Sequence, residues 1–245
     1  MPTTIIAIAP AFLYSAGLMD KNVQIAIFVG SALAACDMPP AETLDTPRIL
    51  ALKTEPAAFE PGAEHTLTAL TFDVPGGLAW SFCAEAWEAG ASGEPLSCAS
   101  GAVELGVGDT LTVVLPDRDG WLQARPVDAT SAALPAVRLL EADSGAVNPE
   151  VAAITRDGAA VGPLAAGAEV ALGLDFAAET DRERAAELVV SWYVTRGTLE
   201  PRRTLASETA TLATPSEAGP LRVIAVVREK AGGVGWSDTT VEVAP

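Results

Sequence analysis

Few side chains in this sequence are of the kinds that do chemistry, so each can be weighed singly. The 245 residues hold three cysteines (Cys36, Cys83 and Cys98) and one histidine, His65. Once Cys36 is set aside, Cys83 and Cys98 form an even pair about 15 residues apart, flanking the Gly-, Ser- and Glu-rich stretch AEAWEAGASGEPLS. A metal site would need more ligands than one histidine can add, and redox pairs usually stand within two residues of each other. A structural disulfide is therefore expected, closing a loop worth roughly 3 kcal/mol in the chain-entropy model.

His65 has no Gly-x-Ser-x-Gly elbow to serve. It follows a Pro-Gly turn in an alternating segment and is expected at the surface of a strand. Asp117-Arg118-Asp119-Gly120 sets two carboxylates one residue apart before a glycine, the start of a calcium-binding curl. The remaining ligands of such a loop are missing and Arg118 separates the acids, so an exposed turn is the plainer reading. Trp87 and Trp121 fall in or beside loops, where they could stack on sugar or cap the fold. No phosphate-binding loop is present, and Gly232-Gly233-Val234-Gly235 reads as a hairpin turn. With 32 acidic residues some pair of carboxylates will always lie close, so proximity alone is no sign of glycoside hydrolysis. The expectation is a protein with no catalytic residues, no cofactor and no metal.

The front of the chain accounts for Cys36. Read from Met19, Lys21 supplies a charged start, Val23 to Ala32 (VQIAIFVGSA) an apolar run, and Leu33-Ala34-Ala35-Cys36 follows. About 14 residues separate Lys21 from Cys36, too few to cross a hydrocarbon core of roughly 30 Å as a helix. That layout suits a signal peptide. The preceding PTTIIAIAPAFLYSAGLM is also apolar, but Pro2, Pro10 and the missing positive flank argue against a second membrane segment. Met19 is the expected initiator. Leu33-Ala34-Ala35-Cys36 resembles the lipobox of bacterial lipoproteins. The resemblance implies that the Cys36 thiol takes a diacylglyceryl group, that cleavage leaves Cys36 as the first residue, and that its amine can be acylated. More than one acyl chain is needed to hold a protein firmly at a membrane. Asp37 resembles the signal for retention in the inner membrane of enteric bacteria. The alternative is a thiol buried in an N-terminal core strand or helix.

The elements that would position these residues repeat. Pro47-Arg48-Ile49-Leu50-Ala51-Leu52 has an echo in Pro149-Glu150-Val151-Ala152-Ala153-Ile154. Gly62-Ala63-Glu64 and Gly167-Ala168-Glu169 each precede an alternating run, and Leu78-Ala79-Trp80-Ser81-Phe82 loosely matches Val189-Val190-Ser191-Trp192-Tyr193. PDRDGWLQARPV from Pro116 and PSEAGPLRVIAV from Pro215 share Pro, Gly, Leu and Val at the same spacing, as two strands entered through one kind of turn would. A period near 100 residues is that of a β-sandwich domain and not of a solenoid. The segments themselves read as strands: HTLTALTF alternates, TLTVVL is β-branched between turn residues, and LRVIAVVR is apolar enough for burial on both faces. The charged ETDRERAAEL is the exception, a solvated insertion able to form a short helix.

These features, and EPAAFEPGAEHTLTAL in particular, resemble immunoglobulin-like and PKD-like modules of bacterial surface lipoproteins over about residues 44–244. The resemblance implies an all-β chain of two tandem Ig-like β-sandwiches. A signal peptide would span 1–35 and a lipidated tether 36–46, with sandwiches at 47–143 and 144–245. The antibody-type inter-sheet disulfide is absent, since Cys83 and Cys98 lie too close in sequence. A net charge of −17 repels phosphate backbones and excludes nucleic acid as a partner. The expected role is structural or adhesive in the cell envelope, facing the periplasm or the cell surface. The membrane would be met through the lipid, and an envelope protein or polysaccharide would be the partner. The second reading is a carbohydrate- or calcium-binding accessory module using Trp87, Trp121, Asp117 and Asp119.

Overall fold

Alternating apolar residues bounded by turns give strands almost throughout. The computed structural model describes residues 43–88, 96–128, 130–142 and 144–245. The segment expected to be a signal peptide, and Cys36, lie outside them.

The first lobe runs β1 (Arg48–Glu55), β2 (Glu64–Phe72), β3 (Leu78–Cys83), β4 (Val103–Val107), β5 (Thr110–Val114), β6 (Gly120–Pro126) and β7 (Ala136–Leu140). One sheet has the order β1-β2-β5 and the other β4-β3-β6-β7. Period-two alternation sends Leu67, Leu78, Trp80, Phe82, Leu122 and Leu140 between them as a buried core.

The second lobe runs β8 (Val151–Arg156), β9 (Ala159–Ala160), β10 (Leu164–Ala165), β11 (Glu169–Phe176), the short helix α1 (Glu179–Glu183), β12 (Val189–Val194), β13 (Thr198–Glu200), β14 (Arg203–Leu205), β15 (Ala210–Ala213), β16 (Gly219–Arg228) and β17 (Val234–Ala244). Its sheets have the orders β13-β15-β11-β8-β9 and β10-β17-β16-β12-β14. Leu172, Val190, Trp192, Leu212 and Val223 are among the residues packed between them.

The repeated turns recur in space. β6 and β16 begin at Gly120 and Gly219, four residues after Pro116 and Pro215. Gly62 and Gly167, with φ of 73° and 67°, turn the chain into β2 and β11. Only glycine takes that left-handed conformation without a steric cost.

β16 is buried on both faces because the lobes pack on each other. Leu221, Val223, Ala225 and Val227 enter its own core. Ile224 and Val226 face the other way and join Val234, Leu44, Leu50, Ala51 and Leu70 in a seam cluster, with Phe72, Tyr193 and Trp236 around it. β1 carries a bulge between Ile49 and Ala51, so Leu50 has no partner in β2. Bulges re-aim side chains, and this one delivers Leu50 to the seam. The end of the segment read as a tether is held here too: Thr43 bridges Val194, and Leu44 donates its N–H to the Val194 carbonyl at 2.7 Å.

The connection between the lobes is tied to both. Asn148 donates from Nδ2 to the Thr54 carbonyl at 2.8 Å and accepts at Oδ1 from the Val234 N–H at 2.9 Å. A side chain at Gly233 or Gly235 would collide with the carbonyl of Val147 or Pro149, so glycine is required where this segment crosses the β16–β17 hairpin.

Candidate functional site

Cys83 ends β3 and Cys98 lies before β4; the two are joined in a disulfide with Cα atoms 5.8 Å apart. The bond closes the connection between two neighbouring strands of one sheet, unlike an inter-sheet bridge. Ser100 Oγ lies 3.4 Å from the Cys98 sulfur and 3.9 Å from that of Cys83. From the same connection Trp87 donates its indole N–H to the Trp121 carbonyl at 3.4 Å. The loop is thus fastened to β6 as well as to β3, and both tryptophans are half-buried. Beneath, Ser81 and Gln123 are buried on the outward side of the sheet, with the Ser81 hydroxyl 3.4 Å from Gln123 Oε1.

Asp117 and Asp119 are both exposed, but they have different surroundings. Asp119 Oδ1 accepts the Ala142 N–H at 2.8 Å and so fastens the end of β7. Asp117 stands over the glycine turn at Gly62. Among the described residues no group of three or more His, Cys, Asp or Glu is placed to hold a metal ion.

His65 corrects the sequence reading. It is fully buried, not a surface residue. Nδ1 lies 3.3 Å from the Pro56 carbonyl, and the Glu60 N–H donates to Nε2 at 3.3 Å. The imidazole holds the β1–β2 connection in shape, 5.7 Å from the Phe59 ring. Period two carried this signal, because His65 is two residues from Leu67 and shares its inward face.

Three clefts, one between the lobes and two on the second lobe, contain cations that the sequence did not single out. The first, of about 240 Å³, is lined by Phe59, Arg138, Ser144 and Lys230. Arg138 donates from Nη1 to the Leu52 carbonyl at 3.2 Å, while its buried Nε has no partner among the described residues. Burial pushes the guanidinium pKa down to about 10. The second, of about 450 Å³, lies over β12 between Arg203 and Arg228, with Lys230 at its end. The third, of about 310 Å³, adjoins it and contains Arg184, which pairs with Glu229. The one signal in sequence was arginine at the close of the apolar run LRVIAVVR.

No protein-family model matches the chain, and no curated protein does. It is similar to several solved structures. One is the native conformation of E. coli α2-macroglobulin, at 14% identity over 80% of this chain and 16% of that one, with a TM-score of 0.28. Another is a β-glycosidase from Bacteroides vulgatus, at 14% identity over 81% and 25% respectively, with a TM-score of 0.27. A third is the tandem Ig repeats of Dlar, at 14% identity over 81% and 98%, with a TM-score of 0.29. The chain thus spans a quarter or less of the first two proteins. At these scores the likeness bears on no question of function. Its own strand order makes the chain an all-β protein of tandem immunoglobulin-like sandwiches. Among the described residues no helix is long and apolar enough to cross a membrane.

Proposed function

We propose that the chain is an exported envelope lipoprotein with a non-catalytic, structural or adhesive role. Lipid on Cys36 anchors it, and the sandwiches at 47–143 and 144–245 project from the membrane toward an envelope protein or polysaccharide. The observation that carries this reading is Leu33-Ala34-Ala35-Cys36 placed directly after a charged and then apolar run. The Cys83–Cys98 bond supports it, since disulfides persist in oxidising compartments. The packed seam supports a shape-holding role, because interlocked lobes keep a fixed mutual orientation where a bare linker would not.

The test is growth of a bacterium expressing the full chain with an alkyne-tagged fatty acid, comparing wild type with Cys36→Ser. The wild type is expected to carry the tag, sediment with membranes and begin at Cys36 by mass spectrometry, while the variant carries none. An untagged wild type that retains the preceding segment would sink the anchoring. Crosslinking of the tagged protein in intact cells then identifies what it touches.

The second reading, a carbohydrate- or calcium-binding module, is favoured only by the nearness of Trp87 to Trp121. Asp119 is already engaged with Ala142 and is a poor calcium ligand. A melting temperature unmoved by calcium and by neutral polysaccharides removes it.

A further inference from the structure

The sequence has 32 acidic and 15 basic residues, so most cations should find a carboxylate. Among the described residues Arg48, Lys53, Arg156, Arg182, Arg184, Arg196 and Arg222 stand in ion pairs. Arg203, Arg228 and Lys230 do not pair with a described carboxylate, yet they line one cleft together. The strand register explains why. On β12, Ser191 is paired with Arg203 of β14, and Val189 with Arg228 of β16. Cross-strand partners share a face, so the two arginines rise on either side of β12 from its outward surface. The inward residues Val190 and Trp192 are in the core.

The two guanidiniums differ in freedom. Arg228 is fixed, donating to Ser191 Oγ at 3.1 Å and across the seam to the Leu50 carbonyl at 2.9 Å. Arg203 and Lys230 are exposed. The outward face of β12 forms the floor: Val189 is 41% exposed, Ser191 is buried under the Arg228 guanidinium, and Tyr193 is half-buried beside the seam. Two carboxylates also face the cleft. Glu229 is neutralised by Arg184 and accepts the Val147 N–H at 2.8 Å. Glu187 is exposed and lines the cleft along with Lys230. The balance is positive, on a molecule whose net charge is −17.

We infer that this cleft binds an acidic saccharide, with a sugar carboxylate held between Arg203 and Lys230 and the ring laid on Val189 and Tyr193. A planar guanidinium matches a carboxylate bidentately, and an apolar floor beside a few placed polar groups is the usual form of a small-ligand site. The volume of about 450 Å³ accommodates one or two sugar rings. Arg228 fixes the field from below, so the site depends on the lobes remaining docked. It depends neither on the lipid nor on Trp87 and Trp121.

The test is calorimetric titration of the purified full chain in detergent with tri-galacturonate, with neutral galactotriose and inorganic phosphate as comparators. Tri-galacturonate is expected to bind, at least tenfold more weakly in Arg203→Ala and in Lys230→Ala, and more tightly in Glu187→Gln. Both truncated side chains are exposed, and circular dichroism verifies that the fold is kept. Galactotriose is expected to bind at least tenfold more weakly than the acidic trimer. Absence of tri-galacturonate binding overturns the inference, as does equal binding of galactotriose or indifference to Arg203→Ala and Lys230→Ala. Phosphate binding as tightly as the trimer also overturns it, because the floor would then contribute nothing.

Discussion

In the first lobe the indole N–H of Trp80 is answered by a backbone carbonyl, that of Gly108 at 2.7 Å; in the second the indole of Trp192 is answered by a side chain, Thr204 Oγ1 at 3.0 Å. Both rings are fully buried, and each faces a small residue on the next strand, Ala124 or Ala225. The lobes solve one packing problem, a large ring against a small neighbour, with different partners for its polar atom. They also differ in extent. The first sets three strands against four, while the second sets five against five and includes a hairpin of ten paired positions between β16 and β17. The first adds a disulfide and a fastened loop on the outer side of its larger sheet. A smaller sandwich buries less apolar surface, and a covalent tie offsets that shortfall.

The strongest way to break this parallel is to empty each core. Trp80→Ala and Trp192→Ala are each expected to destabilise by about 3–5 kcal/mol, the usual cost of deleting a buried aromatic, read from urea unfolding. If the lobes are equivalent in design the two losses match. Insensitivity at either position would show that its ring is not the centre of its core.

The staple comes next. Cys98→Ser is expected to cost roughly 3 kcal/mol, the entropy of releasing a loop of this length. The loss should fall on the first lobe: hydrogen exchange is expected to quicken in β3 and β4 first, and in β16 and β17 only with global unfolding. Equal quickening in both lobes would mean that the seam, not the disulfide, sets the stability of the smaller sandwich.

Much of this architecture was legible because it rests on local patterns. Alternation placed β2, and the repeated Pro-to-Gly spacing placed the turns before β6 and β16. The density of aliphatics in LRVIAVVR marked burial on both faces. What covers its second face was not legible, since Leu50 and Leu70 lie more than 150 residues earlier in the chain and only the fold brings them across. The loose match of Leu78–Phe82 to Val189–Tyr193 put Trp80 opposite Ser191, one position from Trp192, because pattern alone does not fix register. His65 differs for another reason: its polar type suggests the surface, while the period of β2 puts it on the inward face beside Leu67. The cations of the clefts left little trace, because Arg203 and Arg228 come from strands that only the sheet makes neighbours.

The smallest expected effect concerns Arg138, on β7 of the smaller lobe, where the larger has no counterpart among its described residues. Among the described residues its guanidinium has one hydrogen bond, to the Leu52 carbonyl, and stands in no ion pair. Burial lowers its pKa from the ordinary guanidinium value to about 10, so the folded state releases this proton more readily than the unfolded chain does. For a base lowered in this way, the unfolded state binds more protons between the two values, and stability rises with pH across that interval. The penalty is therefore fully present at neutral pH and fades above about pH 10. Arg138→Met keeps the apolar stem and removes the charge. It is expected to stabilise by about 1–2 kcal/mol at pH 7, after loss of the Leu52 bond is set against relief of the buried charge. The advantage over the parent should shrink when both are unfolded in urea at pH 10.5. A variant less stable than the parent at pH 7 would show that the single bond to Leu52 outweighs the desolvation of the charge.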